Sequence, residues 1–137
     1  MILPLLSVKD VDASVAFYVE KLGFAHQFSM PGPDGKNSFA FVGLGDAVIV
    51  GLSLDPDLQH RGAGVALMLY VPEGTDLDGF YSGIQGRGVT IAEDIKTQYW
   101  GDRTFSLRDP DGYRLTFAKT VQEMTPEEAF ANRPDGA

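Results

Sequence analysis

An internal repeat constrains the fold of this chain more than any other feature of its sequence. The segment "VKDVDASVAFYVEKLG", which begins at Val8, aligns with "VPEGTDLDGFYSGIQG", which begins at Val71. At this offset an apolar position, a Phe-Tyr pair and a glycine coincide, and each match falls at an equivalent place in a predicted strand or helix. The repeat therefore predicts two copies of one supersecondary unit.

Each half of the repeat predicts a strand, then a helix, then three further strands. The opening strands are "LPLLSV" and "GVALMLYV". Asp12 and Thr75 are the predicted helix N-caps, and Gly23 and Gly86 the predicted helix ends. The helices have apolar residues at helical spacing, namely Val15, Tyr18, Val19 and Leu22 in the first and Leu77, Phe80, Tyr81 and Ile84 in the second.

Turn signals divide the rest of each half into three short strands. Their predicted ranges are 24–30, 36–43 and 46–53 in the first half, and 88–95, 101–108 and 113–119 in the second. The "DPDG" sequence predicts a type I turn with Pro110 second and Gly112 last. "TPEEAFANR" begins with a capping box at Thr125 and predicts a short appended helix.

These elements predict one structural domain of the α+β class. Its parts are a first βαβββ module at 1–53, a linker at 54–64, a second module at 65–120, and a C-terminal helix and tail at 121–137.

The charge and composition exclude several kinds of partner and site. A net charge of −8 argues against nucleic acid and anionic membranes, because phosphate groups would be repelled. The absence of cysteine excludes disulfides, thiolate zinc sites and cysteine nucleophiles. No apolar run is long enough to span a membrane, and "ILPLL" is too short for a signal peptide. A soluble cytoplasmic protein is therefore expected.

Two stretches carry a resemblance to a known family: "VKDVDASVAFYVEKLGF" at 8–24 and "WGDRTFSLRDPDGYRLTF" at 100–117. Together with the repeat, they resemble the vicinal oxygen chelate superfamily, which includes glyoxalase I, extradiol dioxygenases, and fosfomycin and bleomycin resistance proteins. The resemblance implies that the two modules form a half-open, cup-shaped mixed β-sheet with the helices outside. It also implies a homodimer, because pockets in the bleomycin resistance branch form partly between subunits.

The resemblance further implies where a metal would bind. Relatives place metal ligands, typically His and Glu, on the first and last strands of each module. Those positions are occupied here by Leu3, Val50 or a neighbour, Ala66 and Thr116. None of these side chains offers the imidazole or carboxylate donors that a divalent cation needs. The expectation is a protein with no divalent metal and no other cofactor.

Strand alternation predicts which side chains line the cup. The predicted lining is apolar with a few hydroxyls, an arginine and an aromatic rim, which is typical of small-molecule pockets. Trp100 either stacks on a planar ligand or fills a barrel corner. A one-residue slip in the third and fourth strands would exchange the faces. The predicted lining consists of Leu5, Phe39, Phe41, Val48, Val50, Met68, Tyr70, Trp100, Thr104, Ser106, Arg114 and Thr116, with Phe105, Leu107, Leu115 and Phe117 on the opposite, buried face.

Three functions are compatible with these residues. The first is a metal-free protein of the bleomycin resistance kind that binds or sequesters an antibiotic or aromatic metabolite, and the acidity suits a cationic ligand. The second is a lyase or dioxygenase of the same superfamily, which needs a Lewis-acid metal. The third is a metal-free enzyme using Arg108, Arg114, Tyr70 or His26 for acid–base chemistry.

Overall fold

Over residues 2–134, which the computed structural model describes, the chain forms eight strands and three α-helices. The first module contains β1 (Leu5–Val8), α1 (Val11–Ala16), a π-helical segment (Phe17–Lys21), β2 (Ala25–Pro31), β3 (Asn37–Leu44) and β4 (Val48–Leu54). The second contains β5 (Ala66–Tyr70), α2 (Leu77–Gly86), β6 (Ile91–Thr97), β7 (Asp102–Arg108) and β8 (Arg114–Thr120), and α3 (Pro126–Asn132) follows it. Every strand begins and ends within three residues of its predicted range.

The two modules form four-stranded sheets of identical topology. The strand order is β1-β4-β3-β2 in the N-terminal sheet and β5-β8-β7-β6 in the C-terminal sheet. In each sheet the first strand pairs in parallel with the last, while the remaining pairs are antiparallel. A parallel pair requires a crossover connection, and the helix of each module lies in that connection. The tandem βαβββ order and the α+β class are thus as predicted.

The N-caps of the first two helices differ from the prediction. Asp10 caps α1 and Asp76 caps α2, each by accepting a hydrogen bond from the amide three residues on. Asp12 therefore lies in the first turn of α1, and Thr75 precedes the cap of α2. Aspartate and threonine both serve as N-caps, so composition alone did not distinguish neighbouring positions. Among residues 2–134, no helix is long and apolar enough to cross a membrane.

The predicted glycines lie at the ends of the first two helices, but only one of these glycines has the predicted left-handed conformation. Gly23 lies just after the first helix with φ 78°, in the left-handed conformation that glycine adopts without strain. Gly86 is still part of α2, and the left-handed position after that helix belongs to Gly88, with φ 83°. α2 therefore ends at its predicted glycine, but the second glycine of "GRG" takes the left-handed conformation. The third helix begins at its predicted cap, Thr125. The Thr125 hydroxyl accepts a hydrogen bond from the Glu128 amide at 3.2 Å.

One hydrophobic core joins the two modules. Phe105 and Phe117, on neighbouring strands of the C-terminal sheet, stack with ring centroids 5.4 Å apart. Phe24 of the first module meets Phe117 edge-on at 6.3 Å. Leu107 and Leu115 are also fully buried, so the predicted inner face of the C-terminal sheet is correct.

The β7–β8 turn of the second module is anchored by the first. The predicted turn is present, because the Gly112 amide donates to the Asp109 carbonyl at 3.0 Å. The buried Tyr18 hydroxyl donates to the Asp109 carboxylate at 2.8 Å, and two later amides of the turn donate to its other oxygen. Burial raises the pKa of Asp109. Burial, followed by the nearby charge of Asp109, raises the pKa of Tyr18 well above its usual value.

Asp111 and Tyr113 of the same turn make further hydrogen bonds to the first module. We call these bonds, together with the Tyr18–Asp109 bond, the module junction. Asp111 accepts from the Lys9 amide at 2.9 Å and lies 3.6 Å from the Arg61 side chain in the linker. The Tyr113 hydroxyl donates to the Ser7 carbonyl at 3.0 Å. The last hairpin of the chain is therefore hydrogen-bonded to its first strand and helix.

Candidate functional site

The face of the N-terminal sheet opposite the hydrophobic core, here called its cup face, is apolar and aromatic. Leu5, Gly51, Phe41 and Phe28 are paired across the four strands and form one row on it. Phe39 lies on the same face, and its ring meets that of Phe41 edge-on with centroids 4.8 Å apart. Leu5 is 61% and Phe28 43% exposed, so the predicted residues of β1 and β3 form an open apolar surface.

Val48 and Val50 lie on the other face of the sheet, contrary to the prediction. Val50 pairs with Val42 in a row beside the cup row, and both side chains are fully buried. Ile49 and Gly51 lie on the cup face of β4 instead. The β4 sequence is apolar on both sides of the strand near its start, so no polar residue there reveals the register.

The cup face of the C-terminal sheet is polar by comparison. Met68, Thr116 and Ser106 form a row across β5, β8 and β7, and the hydroxyl oxygens of Ser106 and Thr116 are 2.9 Å apart. The Arg114 guanidinium donates to Glu93 at 2.6 Å and to Ser106 at 3.4 Å. The structure therefore brings four predicted residues of this sheet into one connected group.

A buried carboxylate lies at one end of the same face. Asp102 is 5% exposed and accepts hydrogen bonds from the Tyr70 hydroxyl at 2.6 Å, the Trp100 indole at 2.9 Å and the Thr120 hydroxyl at 2.8 Å. The hydrogen bond to Asp102, together with burial, raises the pKa of Tyr70. Within the described chain, no cationic side chain lies within ion-pair distance of Asp102. We call these four residues the Asp102 cluster.

Trp100 and Thr104, two of the predicted lining residues, differ in exposure. Trp100 meets Tyr99 edge-on with centroids 5.0 Å apart and remains 36% exposed. A residue that only filled a barrel corner would be buried, so this exposure favours a ring that a ligand can contact. Thr104 is buried, and its hydroxyl accepts from the Gln98 side chain at 2.9 Å.

Sequence reasoning missed the acidic residues of this face. Asp102 continues the alternation of Thr104 and Ser106 by one step toward the strand start, so that pattern could have identified it. Glu93 lies on β6, where the pairing with β7 shifts register on either side of it. Such bulges interrupt the alternation, and no sequence pattern marked Glu93.

The strand pairing corrects one of the four family metal positions. Thr116 lies opposite Met68 in the parallel pair of the second module. Its counterpart in the first module lies opposite Leu5, and that residue is Gly51, not Val50. A β-carbon at Gly51 would meet the end of the exposed Leu5 side chain, which would have to move to admit a larger residue at this position.

The four family metal positions, which we call the corners of the cup, do not fit a metal of the kind that the family implies. Leu3, Gly51, Ala66 and Thr116 supply no imidazole or carboxylate, and the Thr116 hydroxyl is hydrogen-bonded to Ser106. Across residues 2–134, no three His, Asp or Glu side chains come close enough to hold a metal ion. No metal-dependent step is therefore assigned to these residues.

A cavity of about 340 Å³ lies where the two modules meet beside β5. Met68 and Tyr70 of the C-terminal cup face border it, together with Val48 and Ile49 of β4. The predicted residue Val48 therefore borders a cavity with Met68 and Tyr70, although it lies on the other face of its own sheet. Over the described residues, its lining does not include Phe39 or Phe41. The polar and aromatic cup faces are thus not enclosed together in this cavity.

Known proteins share this architecture. A sequence profile of the Glyoxalase/Bleomycin resistance protein/Dioxygenase superfamily matches residues 2–117. An uncharacterised protein of Mycobacterium bovis is 27% identical, with 97% of this chain and 93% of that protein aligned. The bleomycin resistance determinant encoded on transposon Tn5 is 25% identical with a TM-score of 0.67, covering 89% of this chain and 98% of that one. TnmS3, an antibiotic binding protein from Streptomyces sp. CB03234, is 27% identical with a TM-score of 0.62, covering 85% and 93%. The chain therefore belongs to the glyoxalase, bleomycin resistance protein and dioxygenase superfamily, the vicinal oxygen chelate superfamily.

Proposed function

We propose that this protein binds a small organic molecule on the cup face of the C-terminal sheet, without a metal. The Asp102 cluster is the observation that carries the proposal. Its carboxylate is buried, and all of its hydrogen-bond donors among residues 2–134 are neutral, so no cation in this range cancels its negative charge. A charge in such a low-dielectric setting attracts a ligand cation more strongly than an exposed one does. The rings of Tyr70 and Trp100 add π faces on which a cation or planar group packs.

The rest of the molecule favours a ligand that is partly cationic and partly aromatic. The net charge of −8 raises the local concentration of cations around the protein. Phe28, Phe39 and Phe41 offer an apolar surface for a planar ring system. Two structural relatives are described as an antibiotic binding protein and a bleomycin resistance determinant, which supports an antibiotic or aromatic metabolite as the ligand. Sequestering such an antibiotic would confer resistance.

A homodimer is part of the proposal. Leu5, Phe28 and Met30 on the N-terminal cup face, and Met68 and Tyr70 on the C-terminal one, are each more than a third exposed. Exposed apolar surface of this kind on both faces is characteristic of an interaction site. A second copy would cover the aromatic face of one chain with the polar face of the other and enclose the ligand between them.

A metal-free enzyme is the alternative that one observation favours. Tyr70 and Asp102 form a titratable pair 2.6 Å apart on the proposed binding face. A phenol is already protonated at neutral pH, and the hydrogen bond to Asp102 raises the pKa of Tyr70 further, so Tyr70 would act on a substrate as a hydrogen-bond donor. A metal-dependent lyase or dioxygenase would need donors that the four corner residues lack.

The test combines metal analysis with ligand binding. Purified protein, grown with added nickel, zinc and iron, is analysed for bound metal and then screened by thermal shift against cationic antibiotics and planar aromatic compounds. A ligand should raise the melting temperature by mass action. Titration calorimetry of each hit then measures affinity for wild type, Trp100→Ala, Asp102→Asn and Asp57→Asn.

The variants separate the cluster from general charge effects. Asp102→Asn should weaken a cationic ligand by roughly tenfold or more, because hydrogen bonds and contacts to charged groups are the strong ones. Asp57→Asn removes the same charge from an exposed turn of the linker and should leave affinity unchanged. Trp100→Ala should lose binding while remaining folded. Stoichiometric bound metal, or wild-type affinity in both Trp100→Ala and Asp102→Asn, would contradict the proposal, and turnover of a bound compound would favour the enzyme.

A further inference from the structure

A second cavity lies beside the module junction and has walls from both modules. The first module contributes Phe17 and Lys21 from the π-helical segment. The second contributes parts of residues 88–92 and residues 108–110. The volume is about 350 Å³, which is within the ordinary range for pockets that take small molecules. This cavity is separate from the cup, because the residues of the Asp102 cluster are not among its walls.

Cationic side chains gather at this cavity without acidic partners. The Lys21 ammonium donates to the Arg87 carbonyl at 3.0 Å, and the Arg87 guanidinium donates to the Lys21 carbonyl at 2.8 Å. Arg108 uses one guanidinium nitrogen on the Gly112 carbonyl at 2.9 Å. In the part of the chain that the structure describes, none of these cations lies within ion-pair distance of a carboxylate. The chain has 19 acidic and 11 basic residues, so partners were not scarce.

Among the described residues of the wall, the two cations Lys21 and Arg108 outnumber one carboxylate, Asp109, so the wall keeps a net positive charge. One oxygen of Asp109 accepts from Tyr18, and the other accepts from two amides of its own turn. The remaining wall is mainly apolar and includes Phe17, Val89 and Pro110. The cavity therefore combines a hydrophobic body with basic groups that keep N–H donors to spare.

We propose that this cavity binds a small organic anion, with its carboxylate held by Lys21 and Arg108 and its apolar body against Phe17 and Val89. A carboxylate suits this arrangement because charge-assisted hydrogen bonds from ammonium and guanidinium groups are short and strong. The apolar wall selects an organic anion over an inorganic one, since only the former gains by burying hydrocarbon.

This site and the Asp102 cluster lie at opposite ends of one strand. β7 begins at Asp102 and ends at Arg108, which places the two residues roughly 20 Å apart at the rise of an extended strand. One end favours a cation and the other an anion. The second site does not depend on the proposed function of the cup, and either can be tested without the other.

The probe is 4-phenylbutyrate, with 4-phenylbutanamide and inorganic phosphate as matched compounds. Calorimetry at low salt measures the affinity of the full-length protein for each. The carboxylate should bind, whereas the neutral amide and phosphate should each bind at least roughly tenfold more weakly, as expected for one lost charge-assisted bond or one lost apolar contact. Amide chemical shifts should change at Val89, Thr90 and Ala92 and remain unchanged at Thr116.

Two variants and a control locate the site. Lys21→Gln/Arg108→Gln should weaken 4-phenylbutyrate by roughly tenfold or more, and Lys36→Gln/Arg133→Gln, which removes the same charge elsewhere, should not. If the first variant fails to fold, Ala92→Leu fills the cavity without a charge change and should also abolish binding. Equal affinity for carboxylate and amide, shift changes confined to the cup strands, or wild-type affinity in Ala92→Leu would overturn the proposal.

Discussion

The hydrogen bond from Tyr18 to Asp109 allows a quantitative prediction about the module junction. Tyr18→Phe removes one hydroxyl from a fully buried ring and leaves the ring in place, so no large cavity forms. Asp109 then loses the one side-chain donor that it has among the described residues, while remaining buried. Because hydrogen bonds to charged groups contribute about 1.5–3 kcal/mol, the variant should lower the free energy of unfolding by about that amount at neutral pH.

The loss of unfolding free energy in Tyr18→Phe should become smaller as the pH falls. The pKa of Asp109 is raised by burial, so protonation of this group favours the folded state and its ionisation disfavours it. The Tyr18 bond opposes that rise, and its loss raises the pKa of Asp109 further. When the pH is below the pKa of Asp109 in the folded wild type and in the folded variant, Asp109 is neutral in both proteins. The destabilisation should therefore be full at neutral pH and shrink as the pH falls.

Urea unfolding of wild type and variant, at neutral pH and at the most acidic pH at which the wild type stays folded, measures both effects. Tyr113→Phe is the matched control, because its hydroxyl donates to a neutral carbonyl. That variant should cost about 0.5–1.5 kcal/mol with no comparable pH dependence. If Tyr18→Phe costs no more than Tyr113→Phe at neutral pH, or costs the same at both pH values, the reasoning about Asp109 is refuted.

Three further variants test the cup. Gly51→Ala should change the unfolding free energy in urea by no more than about 1 kcal/mol, because the end of Leu5 that the new β-carbon meets is exposed and free to move. A loss of about 1–3 kcal/mol, as overpacking of a core costs, would show that the cup face is rigidly packed. Thr120→Val removes one of three donors to Asp102 and should cost about 1–3 kcal/mol by the same measurement, with Thr120→Ser as the rescuing control. Arg114→Gln should cost less than about 1 kcal/mol, since its ion pair with Glu93 is part-exposed; a larger loss would mark that pair as structural.

The repeat predicted the architecture well because the modules repeat both their apolar spacing and their turn residues. Strand faces were predictable wherever polar and apolar residues alternate, as in Thr104 and Ser106 on β7. They were not predictable at the start of β4, where Val48 and Val50 are flanked by apolar residues and only pairing with β3 sets the register.

The candidate site was predicted in part for a similar reason. Met68, Tyr70 and Thr116 were placed correctly by alternation along regular strands. The residue that organises them, Asp102, was missed because an acidic side chain at a strand start resembles an ordinary solvent-exposed turn residue. Asp102 can be buried because Tyr70, Trp100 and Thr120, which lie on different parts of the chain, all donate hydrogen bonds to it. The pattern of neighbouring residues in the sequence does not show that these donors meet in the fold.

The junction hydrogen bonds join residues that are 91 to 106 positions apart in the chain. A ribosome has therefore synthesised most of the polypeptide before α1 and Tyr18 can meet Asp109, Asp111 and Tyr113. Contacts between residues so far apart in sequence slow folding, because the chain loses the entropy of closing a long loop before the contacts stabilise it. The first module is expected to remain incompletely packed until the last hairpin emerges, so a stall in translation before that hairpin would leave a protease-sensitive chain.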